Sequence, residues 1–308
     1  MSYNNSYLFS TYDLGQKIGE GSYGFVVKAS KKRNCETVAI KILKDKNHIT
    51  SWQDCLNLRE VKILRRLNHP NIIKLHEVVK DDDYFCLVFE YMDRNLLELI
   101  SHRRRTHKVF SESEIRNYCF QILNGLHYIH SRGCFHRDLK PDNVLVTGDE
   151  LKIADFGLAR EFCSHASYTD YVATLWYRAP ETLLRSGNYG FAIDMWAVGA
   201  IMAELFLLNP IFGGDCEIDQ LYKVCSVIGT PREEDYWSLS HEIAETIEYQ
   251  FPQALAVSLS KMMPTASKSA IDIMNSLLSW NPNKRPTPQE ALQHSFFRPC
   301  FKQGISNL

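Results

Sequence analysis

Between Cys134 and Glu181 three short motifs follow one another, and they restrict the chain more than any other stretch. The first is His136-Arg137-Asp138-Leu139, closed by Asn143, which fits the pattern H-R-D-L-x-x-x-N. Asp155-Phe156-Gly157 comes next, then Ala179-Pro180-Glu181. These residue types suit the movement of a phosphoryl group from ATP to a hydroxyl, a reaction that asks a protein mainly for positioning and charge neutralisation. Asp138 can accept or orient the proton of the attacking hydroxyl. The amide oxygen of Asn143 and the carboxylate of Asp155 are hard donors of the kind Mg²⁺ takes. Lys140 can meet the transferring phosphate as a point charge. Any one motif could arise by chance; the order and spacing of all three carry the argument.

These motifs resemble those of the eukaryotic protein kinases, and the resemblance runs from Phe9 to Phe297. It implies an α+β, bilobal fold. A small β-rich lobe with one main helix would take residues 11–92, a larger helical lobe residues 93–297, with ATP and Mg²⁺ between them. Residues 1–10 read as a flexible lead-in without a period, and 298–308 as a short disordered tail.

Composition removes several other classes. With 308 residues the chain can bury a large core or two packed lobes. A formal net charge of -1 gives no global field for nucleic acid or an anionic membrane. Nine cysteines, with no C-x-x-C pair, argue for a reducing compartment rather than a disulfide framework or a zinc site. Met1 to Tyr7 lacks a basic region leading into an apolar core, so no secretory signal is expected. The most apolar long stretch, Phe191 to Phe212, is interrupted by Asp194 and Glu204 and reads as a buried helix.

Upstream of the motifs, Tyr12 to Ile42 has the look of three strands. Gly19-Glu20-Gly21-Ser22-Tyr23-Gly24 lies between the first two. Alone, G-x-G-x-x-G also suits a dinucleotide-binding turn, but that turn must open a helix. Here it runs into Phe25-Val26-Val27, which favours a hairpin. Val38-Ala39-Ile40-Lys41 fits V-A-I-K, with Lys41 held on a rigid strand to meet the α- and β-phosphates. Ser51 to Leu67 reads as a helix with apolar residues at Leu56, Val61, Leu64 and Leu67, the last three at threes. Ser111 to His130 starts on a capping-box pattern and carries a buried stripe of Ile115, Tyr118, Cys119, Ile122, Leu126 and Ile129. The basic run His102 to Lys108 reads as a solvated loop rather than a docking patch.

The resemblance assigns further roles. Glu60 stands where kinases carry the helix glutamate that pairs with Lys41. Ile18, Gly19, Gly21 and Gly24 would cover the nucleotide, and Val26, Ala39 and Leu145 would sandwich the adenine. Phe89 would be the bulky residue at the back of the adenine pocket, with Glu90 to Met92 offering backbone groups to the base. Thr174 matches the residue that bridges the catalytic aspartate and lysine in Ser/Thr-specific kinases. Thr169-Asp170-Tyr171 occupies the activation-loop phosphosite, and Arg59, Arg137 and Arg160 stand where related kinases gather arginines around that phosphate. Glu181 with Arg285 corresponds to a structural ion pair, and Asp194 to the residue that holds the catalytic loop.

Trp176-Tyr177-Arg178 before Ala179-Pro180-Glu181 is typical of the group containing cyclin-dependent and mitogen-activated kinases, which favours proline after the phosphoacceptor. Within it, Leu58-Arg59-Glu60-Val61, the T-D-Y loop, Phe251-Pro252 and Pro264-Thr265-Ala266-Ser267 resemble the branch of male-germ-cell-associated and intestinal-cell kinases. Leu175 departs from the arginine usual there, which weakens the case for a structural phospho-Tyr171. The P-S-T-A-I-R-E helix of cyclin binders is absent.

The expectation is therefore a monomeric, proline-directed Ser/Thr protein kinase using ATP and Mg²⁺ on Ser/Thr-Pro sites, activated by an upstream kinase at Thr169 or Tyr171, without nucleic acid or membrane partners. Cytoplasmic, nuclear or ciliary residence follows by family analogy. Three alternatives remain, one of them a mitogen-activated kinase proper, weakened by Leu175 and by T-D-Y in place of T-E-Y. A cyclin-dependent-like enzyme would need a partner subunit, and Ser22 and Tyr23 match that family's inhibitory phosphosites. A pseudokinase scaffold would lack Lys41, Asp138 or Asp155, and all three are present.

Overall fold

The computed structural model describes residues 7–21, 24–43, 51–81, 84–161, 175–184, 189–232 and 250–302. They divide into two compact units, one of Met1–Asp93 with Ala154–Leu158, the other of Arg94–Ile153 with Ala159–Leu308.

The first unit is built on a five-stranded antiparallel sheet in the order β1-β2-β3-β5-β4. Its strands are β1 (Tyr12–Gly21), β2 (Gly24–Lys31), β3 (Thr37–Leu43), β4 (Leu75–Asp81) and β5 (Tyr84–Glu90). Alternation decides which side is core. Val27 and Ala29, Val38, Ile40 and Ile42, and Cys86 and Val88 face one way, and pack with Leu8, Tyr12 and Val79. Gly24 lets β2 and β3 come together, since a Cβ there would stand 2.0 Å from the Ile42 carbonyl oxygen.

Two expectations change in this unit. Residues 7–11 are not a loose lead-in: α1 (Tyr7–Thr11) packs on β1 and β4 and buries Leu8. The Tyr7 and Tyr12 hydroxyls both donate to the Glu77 carboxylate on β4. The helix read over Ser51–Leu67 is broken into α2 (Trp52–Asn57) and α3 (Arg59–Leu64) by Leu58, whose backbone is extended at φ -52 and ψ 134. In an unbroken helix Cys55 and Val61 would point about 120° apart, at roughly 100° per residue. The break resets the phase, so Cys55, Val61 and Leu64 are all buried.

The second unit is mainly helical. Its helices are α4 (Leu96–Arg105), α5 (Glu112–His130), α6 (Pro180–Leu183), α7 (Ala192–Leu207), α8 (Glu217–Ile228), α9 (Leu259–Met262), α10 (Lys268–Leu277), α11 (Pro288–Leu292) and α12 (Arg298–Lys302). Helix α5 begins as its capping box predicts: Ser111 Oγ accepts from the Glu114 amide and the Glu114 carboxylate accepts from the Ser111 amide. Its predicted stripe is buried throughout. The apolar helix α7 is buried along most of its length, Asp194 and Glu204 included. Gly199 lets it lie against α10, because a Cβ there would meet Leu277 and Leu278 at 2.9 Å. Among the described residues no helix is long and apolar enough to cross a membrane.

Short strands frame the loops between these helices. Strand β8 (Val144–Thr147) pairs with β6 (Arg94–Asn95) and β9 (Glu150–Ile153), and β7 (Cys134–Phe135) pairs with β10 (Arg160–Glu161). Two expectations change here as well. The basic run is helical as far as Arg105, and two of its arginines are structural. Arg103 bonds Glu114 at 2.6 Å and stacks on Phe110, while Arg104 Nε donates to the Leu208 carbonyl at the end of α7. Arg298–Lys302 forms α12 where a disordered tail was expected, because Cys300 is buried and the Phe301 ring stands edge-on to Phe120 at 5.3 Å.

Candidate active site

The first unit carries the residues predicted to meet a nucleotide, and strand register explains their grouping. Residues directly paired across strands share a face. Gly19 pairs with Val26, Val26 with Lys41, and Ala39 with Phe89. Alternation therefore puts Gly19, Val26, Ala39, Lys41 and Phe89 together on the face opposite the Leu8–Val88 core. Gly21 closes β1 across from Gly24, and Ile18 is exposed. Phe89 and Met92 are buried. Glu90 donates its N–H to the Lys74 carbonyl and accepts the Lys74 N–H on its carboxylate.

Lys41 Nζ donates to Glu60 Oε2 at 2.6 Å, with both side chains largely withdrawn from water at 19% and 12% exposure. Burial pushes the Glu60 carboxyl up; the Lys41 charge pulls it back, and the Asp155 charge adds to the upward push. Asp155 therefore lies within electrostatic reach of the pair. Its backbone is left-handed at φ 60, a conformation costing a non-glycine residue about 1–2 kcal/mol. Phe156 beside it is fully buried, and the Gly157 amide donates to Asp155 Oδ1 at 3.3 Å. Strain of this kind, fixed by neighbours, is common at functional sites. Arg59 opens α3 and is exposed.

The second unit carries the catalytic-loop candidates. Lys140 Nζ lies 2.9 Å from Asp138 Oδ2. Asn143 Nδ2 donates to the same Oδ2 at 3.0 Å and to the Asp138 carbonyl at 2.8 Å. One carboxylate is thus oriented by a cation and an amide. Leu145 follows on β8, half-buried, between the buried Val144 and Val146.

The loop is anchored from below by Asp194. Its Oδ2 accepts from the His136 amide at 2.8 Å and its Oδ1 from the Arg137 amide at 2.9 Å. His130 Nε2 adds a third contact at 2.8 Å. Burial pushes the Asp194 carboxyl up, but the histidines and the amide bond outweigh it and hold the group below the usual carboxylate range. Arg285 meets Glu181 with both ends of its fork, at 2.6 and 2.8 Å, and donates to the carbonyls of Ser279, Trp280 and Ala192.

Residues 12–297 match the protein kinase domain. The chain belongs to the protein kinase family. Cyclin-dependent kinase F-4 of Oryza sativa subsp. japonica is 51% identical over 289 residues, which are 94% of this chain and 62% of that one. Serine/threonine-protein kinase MAK of Homo sapiens is 49% identical, over 93% of this chain and 45% of its own length. Serine/threonine-protein kinase ICK of Rattus norvegicus is 49% identical, over 96% of this chain and 46% of its own. The kinase chain thus spans between 45% and 62% of the length of these relatives. They bear out the resemblance to the cyclin-dependent and mitogen-activated group and, within it, to the MAK and ICK branch.

Some predicted residues lie outside the described residues: Thr169, Tyr171 and Thr174, and the loop-tip residues Ser22 and Tyr23. Arg160 is placed by its backbone, opposite Phe135 in the β7–β10 pair. Sequence reasoning missed three partners in the second unit. His130 was read only as the end of a helix, yet it bonds Asp194. Tyr177 donates to the buried Glu204 carboxylate at 2.6 Å. Tyr189 holds Arg137. None of the three belongs to a local pattern; only the Y-R-A-P-E string around Tyr177 flagged its neighbourhood.

Proposed function

We propose that this kinase chain transfers the γ-phosphate of ATP to serine or threonine hydroxyls of protein substrates, preferring proline after the acceptor. The observation that carries the reading is the oriented Asp138 carboxylate. Held by Lys140 and Asn143, it is poised to take the hydrogen bond of an attacking hydroxyl, while Lys140 neutralises charge on the transferring phosphate. Lys41, fixed by Glu60, would hold the α- and β-phosphates, under the backbone of Gly19, Gly21 and Gly24.

Magnesium fits the donors present. The amide nitrogen of Asn143 is committed to Asp138, so its oxygen is the atom it could offer as a ligand, and Asp155 is exposed. Mg²⁺ commonly takes one or two such protein oxygens and completes its shell with phosphates and water. When bound, it offsets the negative charge of the ATP phosphates. Phosphorylation at Thr169 by an upstream kinase, or by the chain itself, belongs to the same reading. The scaffold alternative is opposed by the intact Lys41–Glu60 pair.

The test is a magnesium-ATP assay on two peptides, one carrying Arg-Pro-x-Ser-Pro and one with alanine in place of the proline after serine. Asp138→Asn is the control. Turnover of the first peptide alone, abolished in the variant, supports the reading. Turnover that persists in Asp138→Asn, or none at all from protein phosphorylated on Thr169, overturns it.

A further inference from the structure

Lys28 on β2 pairs with Ala39 of β3, and Ala39 pairs with Phe89 of β5. Residues directly paired across strands point the same way, so this row shares the face that carries Val26 and Lys41. Strands β2 and β5 are not neighbours; β3 lies between them, and two strand spacings separate them by about 10 Å. The small Ala39 in the middle of the row leaves room for a long side chain to cross. The Lys28 side chain takes that route. Its Nζ lies over the Tyr91 ring, 4.3 Å from the centroid, in the segment that follows β5.

Tyr91 is the first residue past the ladder. Strand β5 ends at Glu90, which pairs with Val38 on β3 and exchanges two bonds with Lys74, the residue before β4. Beyond Glu90 the chain leaves the sheet, through the half-buried Tyr91 to the buried Met92. The Lys28 contact ties this segment back to the sheet from the β2 side, as the Lys74 bonds tie Glu90 from the β4 side. A half-buried ammonium over a tyrosine face is drawn to the ring quadrupole, and its aliphatic stem covers apolar surface on the way. A backbone fixed before its ligand arrives does not have to be ordered by the ligand, which strengthens binding.

We infer that Lys28 is a positioning residue for the nucleotide: its ammonium, seated on the Tyr91 ring, presets the Tyr91–Met92 backbone to receive the adenine base. The inference rests on the reading of Glu90 to Met92 as the segment that offers backbone groups to adenine. It gives a role to a lysine outside the G-x-G-x-x-G and V-A-I-K motifs. That role concerns the base, not the phosphates. Lys41, which meets the phosphates, pairs with Val26, two residues and about 7 Å along β2 from Lys28.

The test uses the full chain as wild type, Lys28→Met, Lys28→Arg, Tyr91→Leu and the double variant of Lys28→Met with Tyr91→Leu. Two quantities are read: the Kd of adenosine by calorimetry, and KM for ATP at saturating Arg-Pro-x-Ser-Pro peptide. Adenosine carries the base without phosphates, so lost attraction for phosphate cannot change its binding. Its binding also needs no turnover, so failure of the phosphoryl-transfer reading does not hide the result. Neither quantity depends on how much of a preparation is folded. Lys28→Met should raise both by about threefold to tenfold, the scale of a partly desolvated cation–π contact, with kcat held within about twofold. Lys28→Arg, which can also lie over the ring, should stay at the wild-type values. Tyr91→Leu should raise both, and adding Lys28→Met to it should raise neither further. Unchanged constants in Lys28→Met overturn the inference alone. So does a KM that rises while adenosine binding holds, which would mark Lys28 as a charge for the phosphates. So does an equal rise with and without the Tyr91 ring. Wild-type protein that binds no adenosine overturns both the inference and the reading of Glu90 to Met92 beneath it.

Discussion

Lys41 on β3 reaches Glu60 on α3 at 2.6 Å, and the pair spans the break that Leu58 makes in the helical segment. The strand is rigid, being bonded on both sides by β2 and β5. The helix is short and follows an extended residue, so it is the more adjustable partner. Glu60→Gln keeps the shape and removes the charge facing Lys41. In that variant kcat/KM for ATP should fall about tenfold to hundredfold, or about 1.4–2.8 kcal/mol of transition-state stabilisation. Steady-state kinetics with ATP varied will decide it; unchanged kinetics would make the pair structural only.

Asp194 gives a pH-dependent prediction. Its carboxyl is held below the usual range, so the folded state binds the proton less readily than the unfolded chain does. The stability it contributes is present above the unfolded carboxylate value of about 3.9 and is lost as pH falls through the lower folded value. Asp194→Asn should destabilise the protein by about 3 kcal/mol at pH 7, within the range for breaking a buried charged network. The difference from wild type should narrow as pH drops below about 4. Thermal unfolding of both proteins at pH 7 and at about pH 2–3 tests this, and a gap that stays constant would count against Asp194 as its source.

The legible part of the molecule was the part where residue type and spacing are dictated together. His136 to Asn143 and Asp155 to Gly157 could be read because phosphate chemistry needs those groups in that order. Ser111 and Glu114 marked a helix start because their bonds are local. The break at Leu58 was hidden for the opposite reason. Val61, Leu64 and Leu67 recur at threes beyond it, and only the offsets of Leu56 and of the buried Cys55, five and six residues before Val61, betray it. Helix α1 was hidden by its length, since five residues are too few to show a period. Tyr189 lies 52 positions from the arginine it holds, and only its folded contacts with Arg137 and Phe135 bring it into view.

Arg285 and Glu181 test how far one ion pair can organise a buried corner. Arg285 is buried over the Trp196 ring at 5.0 Å and satisfies three carbonyls besides the carboxylate. A lysine cannot reproduce a two-pronged contact from a planar fork. Arg285→Lys should therefore cost nearly as much as Arg285→Met, about 3–5 kcal/mol in each case, because Glu181 is left buried without its full partner set. The double variant Arg285→Met with Glu181→Leu should recover most of the loss. Chemical denaturation of the four proteins reads the result, and full tolerance of Arg285→Lys would rule out the geometric explanation.

Helix α1 sets a choice between two views of the first ten residues. As a loose lead-in they could be deleted without effect. In the structure Leu8 is 4% exposed within the sheet core, and the Tyr7 and Tyr12 hydroxyls converge on Glu77. Strands β1 and β4 stand at opposite ends of the strand order, and α1 packs on both. It therefore ties together two sheet edges that share no ladder bonds. Leu8→Ala should cost about 2–5 kcal/mol, the range for a large-to-small change in a core. Glu77→Gln, which weakens both tyrosine bonds, should cost about 1–2 kcal/mol. Amide exchange should quicken first in β1 and β4, while the β2–β3 pair, bonded on both sides, stays protected. If Leu8→Ala leaves the melting temperature and the exchange of β1 and β4 unchanged, α1 contributes nothing to the sheet.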